Sequence, residues 1–102
     1  MENFAYEAEE IWLRSFLSNQ DEICFEIEAQ RTMVFYRVNM SEVLFVLQNG
    51  SVIYSERTEL GSMIKVIGIN CDEEEIEVSA HMVSEMMHVS VIKVRKLKRL
   101  EK

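Results

Sequence analysis

From Phe4 to Leu17 the apolar residues Ala5, Ala8, Trp12 and Phe16 recur at three- and four-residue steps, as do Ile11 and Ser15. Glu7, Glu9, Glu10 and Arg14 fill the other face. This spacing predicts an amphipathic helix whose acidic early turns suit the positive end of its dipole. Ser18-Asn19-Gln20-Asp21 breaks the pattern, so the N-terminal helix belongs to residues 1–20. Ile23 to Glu28 then alternates strictly, the period of a strand or of an extended lead-in to the next helix. Residues 28–50 read as a helix pair, Ala29 to Arg37 and Met40 to Gln48, with a break at Val38-Asn39. Asn39 is an N-cap residue and Glu42 stands at capping-box spacing. Asn49-Gly50 closes the pair, with Gly50 expected in the left-handed conformation of a C-terminal cap.

Residues 51–96 change to a period of two. Ser51–Arg57 reads as a strand, with a polar connection to Leu60 and a turn at Gly61. Met63–Asn70 is apolar on both faces, interrupted by Gly68, which marks a bulge or a close backbone approach. Cys71 to Glu74 is a hairpin connection, and Glu75–Val83 alternates with Ile76, Val78, Ala80 and Met82 inward. Ser84-Glu85-Met86 turns the chain into a last strand, Met87–Val94, and residues 97–102 form a basic tail expected to fray. The pattern predicts an α+β fold in two layers: N-terminal helices on one antiparallel sheet of about four strands. Trp12, Phe16, Met33, Val43, Leu47, Ile67, Val78 and Val91 are its expected core. Val43 to Leu47 is apolar without interruption, more than one packing side requires, and predicts a homodimer through the third helix.

The order of helix, Val-Asn-Met-Ser-Glu-Val-Leu-Phe-Val-Leu-Gln-Asn-Gly-Ser-Val-Ile, then strands resembles a family of small prokaryotic domains of unknown function related to BrnT-type and RelE-like toxin domains. The resemblance runs roughly from Phe25 to Arg95. It implies a helix opening with His-Ala and carrying arginines a turn or two later. This chain has Glu28-Ala29 there, with Thr32 and Tyr36 in place of the arginines.

Composition adds limits. A chain of 102 residues, 48% hydrophobic and 28% charged, makes one domain. No apolar run reaches membrane-span length, and the acidic start Met1-Glu2-Asn3 does not resemble a secretory signal, so a cytoplasmic location is expected. Cys24 and Cys71 are then expected as free thiols. The net charge of −7 divides into −12 over residues 1–92 and +5 over residues 93–102. An acidic body repels phosphate backbones, which makes nucleic acid an unfavourable ligand and a basic protein a favourable one.

Candidate chemistry is sparse. Asp72 to Glu75 with Glu77 is the densest carboxylate group, but it lacks the ligand spacing of a calcium loop and reads as a solvated hairpin tip. His81 and His88 flank the last turn, near enough on a hairpin for acid–base or metal chemistry. The resemblance implies, for a ribonuclease, the set His81, His88, Arg37 and Tyr36, with Lys93 or Arg95 as further cations. Met82, Met86 and Met87, with Met63 nearby, suit core filling or an adaptable surface. Phosphate-cradling Gly-rich loop, GxSxG, HExxH and CxxC patterns are all missing from the sequence, so neither cofactor nor metal is expected. The expected function is a non-catalytic protein-interaction module with an acidic surface. The alternatives are a RelE/BrnT-like, metal-independent endoribonuclease and an acidic inhibitor or immunity-type protein.

Overall fold

The computed structural model describes residues 6–17, 23–83 and 88–99; the side chains of Phe16, Lys98 and Arg99 are outside that description. The breaker at Ser18–Asp21, the turn at Ser84–Met86 with Met87, and the end of the basic tail also lie outside the described residues. Among the described residues three helices, α1 (Glu7–Leu17), α2 (Ile27–Tyr36) and α3 (Met40–Asn49), lie on one face of a sheet. Its strands are β1 (Ile23–Phe25), β2 (Ser51–Arg57), β3 (Gly61–Ile69), β4 (Glu74–Val83) and β5 (His88–Arg99), in the spatial order β1-β5-β4-β3-β2.

The expected four-stranded antiparallel sheet is therefore corrected to five strands in a mixed sheet. The alternating segment before the helices is β1, paired parallel with β5, Ile23 beside Val89 and Phe25 beside Val91. The Glu26 amide extends that pairing by donating to Val91 O at 2.9 Å. A parallel neighbour needs a long crossover, supplied here by everything from α2 to β4. Nothing local in a three-residue strand records so distant a partner.

The last strand also runs past Val94, to Arg99, because the basic end meets the acidic run. Glu74 lies opposite Arg99 and Glu75 opposite Lys98. Lys96 Nζ reaches Glu74 at 3.1 Å, and Arg95 reaches Glu77 at 3.2 Å. Opposite charges on facing strands stabilise the ladder. Glu74 and Glu75 are half-buried and Glu77 is buried, so most of the carboxylate cluster is strand and only Asp72 and Glu73 form the hairpin tip.

The core lies between the layers. Val43, Leu47, Val78 and Val91 are buried as expected, with Ile64, Val66, Ile76, Met82, Val89 and Val94 beside them. Each fully buried side chain of this size contributes on the order of 1.5–3 kcal/mol. Met33 and Trp12 pack against the core while remaining partly exposed. Ile67, expected inside, sits half-buried on the open face of the sheet. β3 is apolar on both faces, so its period cannot say which one meets the helices; α3 decides it by seating Val46 on Gly68. A Cβ on Gly68 would meet the Val46 side chain at 3.1 Å, so this glycine marks a close approach and the β3–β4 register runs through it unbroken.

Among the described side chains of α1, Leu13 and Leu17 are buried, whereas Ala8 and Ile11 of the expected apolar lines are exposed. Polar contacts set this rotation. Arg14 donates to Gln48 O at 2.8 Å and Gly50 O at 3.1 Å, satisfying carbonyls at the end of α3. Glu10 accepts from Val52 N at 3.0 Å, and Glu9 accepts from Ser55 Oγ at 3.2 Å.

The capping box at α3 forms as expected: Asn39 Oδ1 accepts from Glu42 N at 2.8 Å, and Glu42 Oε1 accepts from Asn39 N at 2.9 Å. Gly50 differs from expectation. Its φ of −81° and ψ of −175° are extended backbone, and the left-handed cap belongs instead to Arg37 at the end of α2, with φ 59°. Gly50 is needed for space, since a Cβ there would lie 2.4 Å from Ile67 O and 2.6 Å from Val46 O.

Candidate functional site

The sheet separates the candidate ribonuclease residues. Their neighbours Ala80, Met82 and Val89 point into the core, so His81 and His88 project from the open face. Tyr36 packs against the core on the helix side, and Arg37 follows it at the exposed end of α2. The two histidines are not a facing pair either: His81 lies opposite Ser90, and His88 opposite Val83. A diagonal offset of that kind leaves backbones about 7–8 Å apart. The His81 ring is also turned away from β5, with Nε2 2.9 Å from Thr58 Oγ1 in the β2–β3 connection. Thr58 Oγ1 in turn accepts from Gly61 N at 3.0 Å, so the imidazole belongs to a turn.

Thr32 and Glu28, where the resemblance implies arginine and histidine, have separate fates. Thr32 Oγ1 accepts from Val94 N at 3.0 Å and lies 3.0 Å from both Glu28 O and Ala29 O, which clasps α2 to β5. Glu28 is exposed on the helix. Met63 stands on the open face and Met82 in the core, so these two methionines do not meet. Cys24 and Cys71 are both free and exposed. Among the described residues no group of three His, Cys, Asp or Glu side chains is arranged to hold a metal ion. No helix among them is long and apolar enough to cross a membrane.

On the open face a hollow of about 380 Å³ is bordered by Tyr54, Lys65, Ser79, Ile92, Lys93 and Arg95. Tyr54 donates to Glu56 Oε1 at 2.7 Å, and Lys65 Nζ stands 5.6 Å from its ring centre. Arg95 is paired with Glu77 beneath it.

A second surface lies where α3 meets the end of β3. Phe45, 51% exposed, and Ile69, 46% exposed, border the same two hollows. Together they form a ridge between two hollows. One, of about 420 Å³, runs past Ser41 and Glu42 to Cys71; the other, of about 450 Å³, runs past Asn49 and Gly68 to Glu75. The acidic β3–β4 hairpin borders the ridge and is held rigidly. Asn70 is its hub: Nδ2 donates to Glu42 Oε2 at 2.9 Å and Glu74 Oε1 at 3.0 Å, while Oδ1 accepts from Asp72 N at 3.0 Å and Glu74 N at 2.8 Å. An apolar ridge beside fixed carboxylates suits a ligand with a large apolar side chain and cationic neighbours.

No protein-family model matches this chain, nor does any of the curated proteins or solved structures with which it was compared. The functional reading therefore rests on the surface alone.

Sequence reasoning missed Asn70 and placed Phe45 only within an apolar run. The signal for Asn70 was present in Asn-Cys-Asp-Glu, since asparagine ahead of a turn bonds amides further along. The signal for Phe45 was the excess of apolar residues on helix three.

Proposed function

We propose that this protein is a non-catalytic interaction domain that docks a basic protein on the Phe45–Ile69 ridge. The observation that carries the reading is the pair of exposed large apolar side chains bordering hollows that Glu42 and Glu75 also line, next to the exposed Asp72 and Glu73 of the adjoining hairpin tip. Large apolar side chains anchor interfaces, and rim charges set partner choice and association rate more than affinity. The balance of −12 over residues 1–92 extends the same preference over a longer range. The test is capture of partners on the immobilised full chain, identified by mass spectrometry, beside Phe45→Asp and Asp72→Lys variants. A basic partner lost with Phe45→Asp and weakened by Asp72→Lys and by salt is expected. Capture that ignores both substitutions would refute the reading. A captured nuclease or other nucleic-acid-binding protein would specify the acidic-inhibitor form of the proposal.

The second reading is a RelE-like endoribonuclease, favoured by the placement of His81, His88, Lys93 and Arg95 on one open sheet face. RNA cleavage needs a base, an acid and cations around the developing charge. Cleavage of a mixed-sequence RNA by the parent, lost in a His81→Ala, His88→Ala double variant, would put this reading first.

A further inference from the structure

Four residues on four neighbouring strands form one line across the open face of the sheet. Tyr54 of β2 lies opposite Lys65 of β3, Lys65 opposite Ser79 of β4, and Ser79 opposite Lys93 of β5. Register shifts set both ends of the line. On β2 the pairing steps from Val52 opposite Val66 to Tyr54 opposite Lys65, passing over Ile53. On β5 it steps from Val91 opposite Ala80 to Lys93 opposite Ser79, passing over Ile92. Val52 and Val91 are buried, so strict alternation would turn Tyr54 and Lys93 toward the core as well. Each bulge brings its residue out onto the open face instead, as bulges beside ligand sites do.

The line crosses the hollow of about 380 Å³, which Met63 and Ile92 also border. Both carboxylates at its border are engaged, Glu77 by Arg95 and Glu56 by the Tyr54 hydroxyl. Lys65 and Lys93 are exposed and have no ion pair among the described residues, although acidic residues outnumber basic ones by 18 to 11 in the chain. Ser79, between them, has no side-chain hydrogen bond among the described residues. The hollow thus presents three unengaged donor groups, two ammoniums and a hydroxyl. The two lysine backbones are two strand spacings apart, roughly 10 Å, and their four-carbon stems can close on one anion above Ser79.

We infer that this hollow binds a small molecule carrying a phosphate monoester, with the dianion held between Lys65 and Lys93 and an apolar body against Tyr54 and Ile92. A dianion balances both ammonium groups at once, and its terminal oxygens accept from all three donors. A polynucleotide fits less well, because it brings many phosphates under the field of a body that carries −12 over residues 1–92. This hollow is separate from the Phe45–Ile69 ridge and does not depend on the function proposed there.

Titration of the full chain with phenyl phosphate tests it, followed by amide chemical shifts in low salt at about pH 8, where the probe is a dianion. Saturable shifts at Lys65, Ser79 and Lys93 are expected. Lys65→Met and Lys93→Met should each weaken binding by about tenfold or more, the worth of one charge-assisted hydrogen bond. Arg31→Gln, on α2, should leave binding unchanged. Benzoate, which offers the same ring with a single charge, should bind more weakly. Both lysines are exposed, so the variants are expected to fold, and the amide spectrum itself reports whether they do. The proposal is overturned by the absence of saturable shifts at these amides, by binding that either lysine substitution leaves unchanged, or by benzoate binding as tightly. A single-stranded RNA that displaces the probe at lower nucleotide concentration would overturn it too, and would assign the face to nucleic acid.

Discussion

Glu42 uses its two carboxylate oxygens on two different elements: Oε1 accepts from Asn39 N at 2.9 Å, closing the cap of α3, and Oε2 accepts from Asn70 Nδ2 at 2.9 Å. One side chain thus sets both where α3 begins and where the β3–β4 hairpin sits against it. Lys96 extends the chain of contacts to β5 through Glu74.

The Asn70→Asp substitution tests this network through its dependence on pH. It replaces a buried double donor with a carboxylate facing Glu42 and Glu74, both of which must then lose their bond from the amide. Loss of two charge-accepting bonds with an unpaired buried group costs about 2–4 kcal/mol at neutral pH. The introduced carboxyl is held above its unfolded value by its acidic neighbours, so the folded state binds its proton more tightly. Stability relative to wild type should therefore recover as pH falls through that raised value. Chemical denaturation at pH 7 and pH 5 measures both effects; an equal deficit at the two values would contradict the account.

Gly50→Ala should cost more than Gly68→Ala. The first puts a methyl group against two backbone carbonyls at 2.4 and 2.6 Å, which cannot yield without moving β3 or α3. The second meets Val46 at 3.1 and 3.2 Å from its side chain and 3.3 Å from its Cα, contacts that a shift of a few tenths of an ångström relieves. Overpacking of the first kind costs roughly 1–3 kcal/mol or more. Paired thermal melts of the two variants give the order directly.

How much of this was legible depends on how local each determinant is. The α3 cap could be read because Asn39 and Glu42 are three residues apart and need only each other. The meander could be read because Ile76, Val78, Ala80 and Met82 alternate over a strand of ordinary length. The place of β1 beside β5 was not legible, since Ile23 and Val89 share nothing but a register. The rotation of α1 was hidden for another reason: Glu10 and Arg14 read as a solvent face yet bind backbone from Gln48 to Val52. At the site, the excess of apolar residues on helix three was visible as a quantity, but the partner of Phe45 on β3 was not. His81 and His88 looked like a pair because sequence spacing carries no information about which way a ring turns.

Arg37 offers a stabilising change. A residue with a side chain at φ 59° carries a steric penalty of about 1–2 kcal/mol relative to the right-handed region, and glycine does not. The extra freedom of glycine in the unfolded chain takes back roughly 0.5–1 kcal/mol. Arg37→Gly should therefore raise stability by up to about 1.5 kcal/mol, and Arg37→Val, with its branched Cβ, should lower it. The Arg37 N–H to Val34 O and Val38 N–H to Met33 O bonds survive both changes, so the comparison isolates the conformation. Urea unfolding of the two variants with unchanged m-values would measure it; a loss on going to glycine would show that the cap is not strained.

The last prediction concerns Tyr54 on the open sheet face. Its phenol is held above the ordinary value of 10.0, first by the hydrogen bond to Glu56, then by partial desolvation and the charges of Glu56 and Tyr6. Lys65 Nζ, 5.6 Å from the ring centre, is a cation whose charge favours the phenolate. The neutral phenol is the form that donates, and the native state therefore keeps this proton to higher pH than the unfolded chain does. The resulting contribution to stability is fully present below the unfolded phenol's pKa and is lost as pH rises through the folded one. Phenolate absorbance of the folded protein should show one of its three tyrosines ionising late. Glu56→Gln should bring that titration down toward the ordinary value, and Lys65→Met should push it further up. A titration that neither substitution moves would mean that Tyr54 and Glu56 are not bonded in solution.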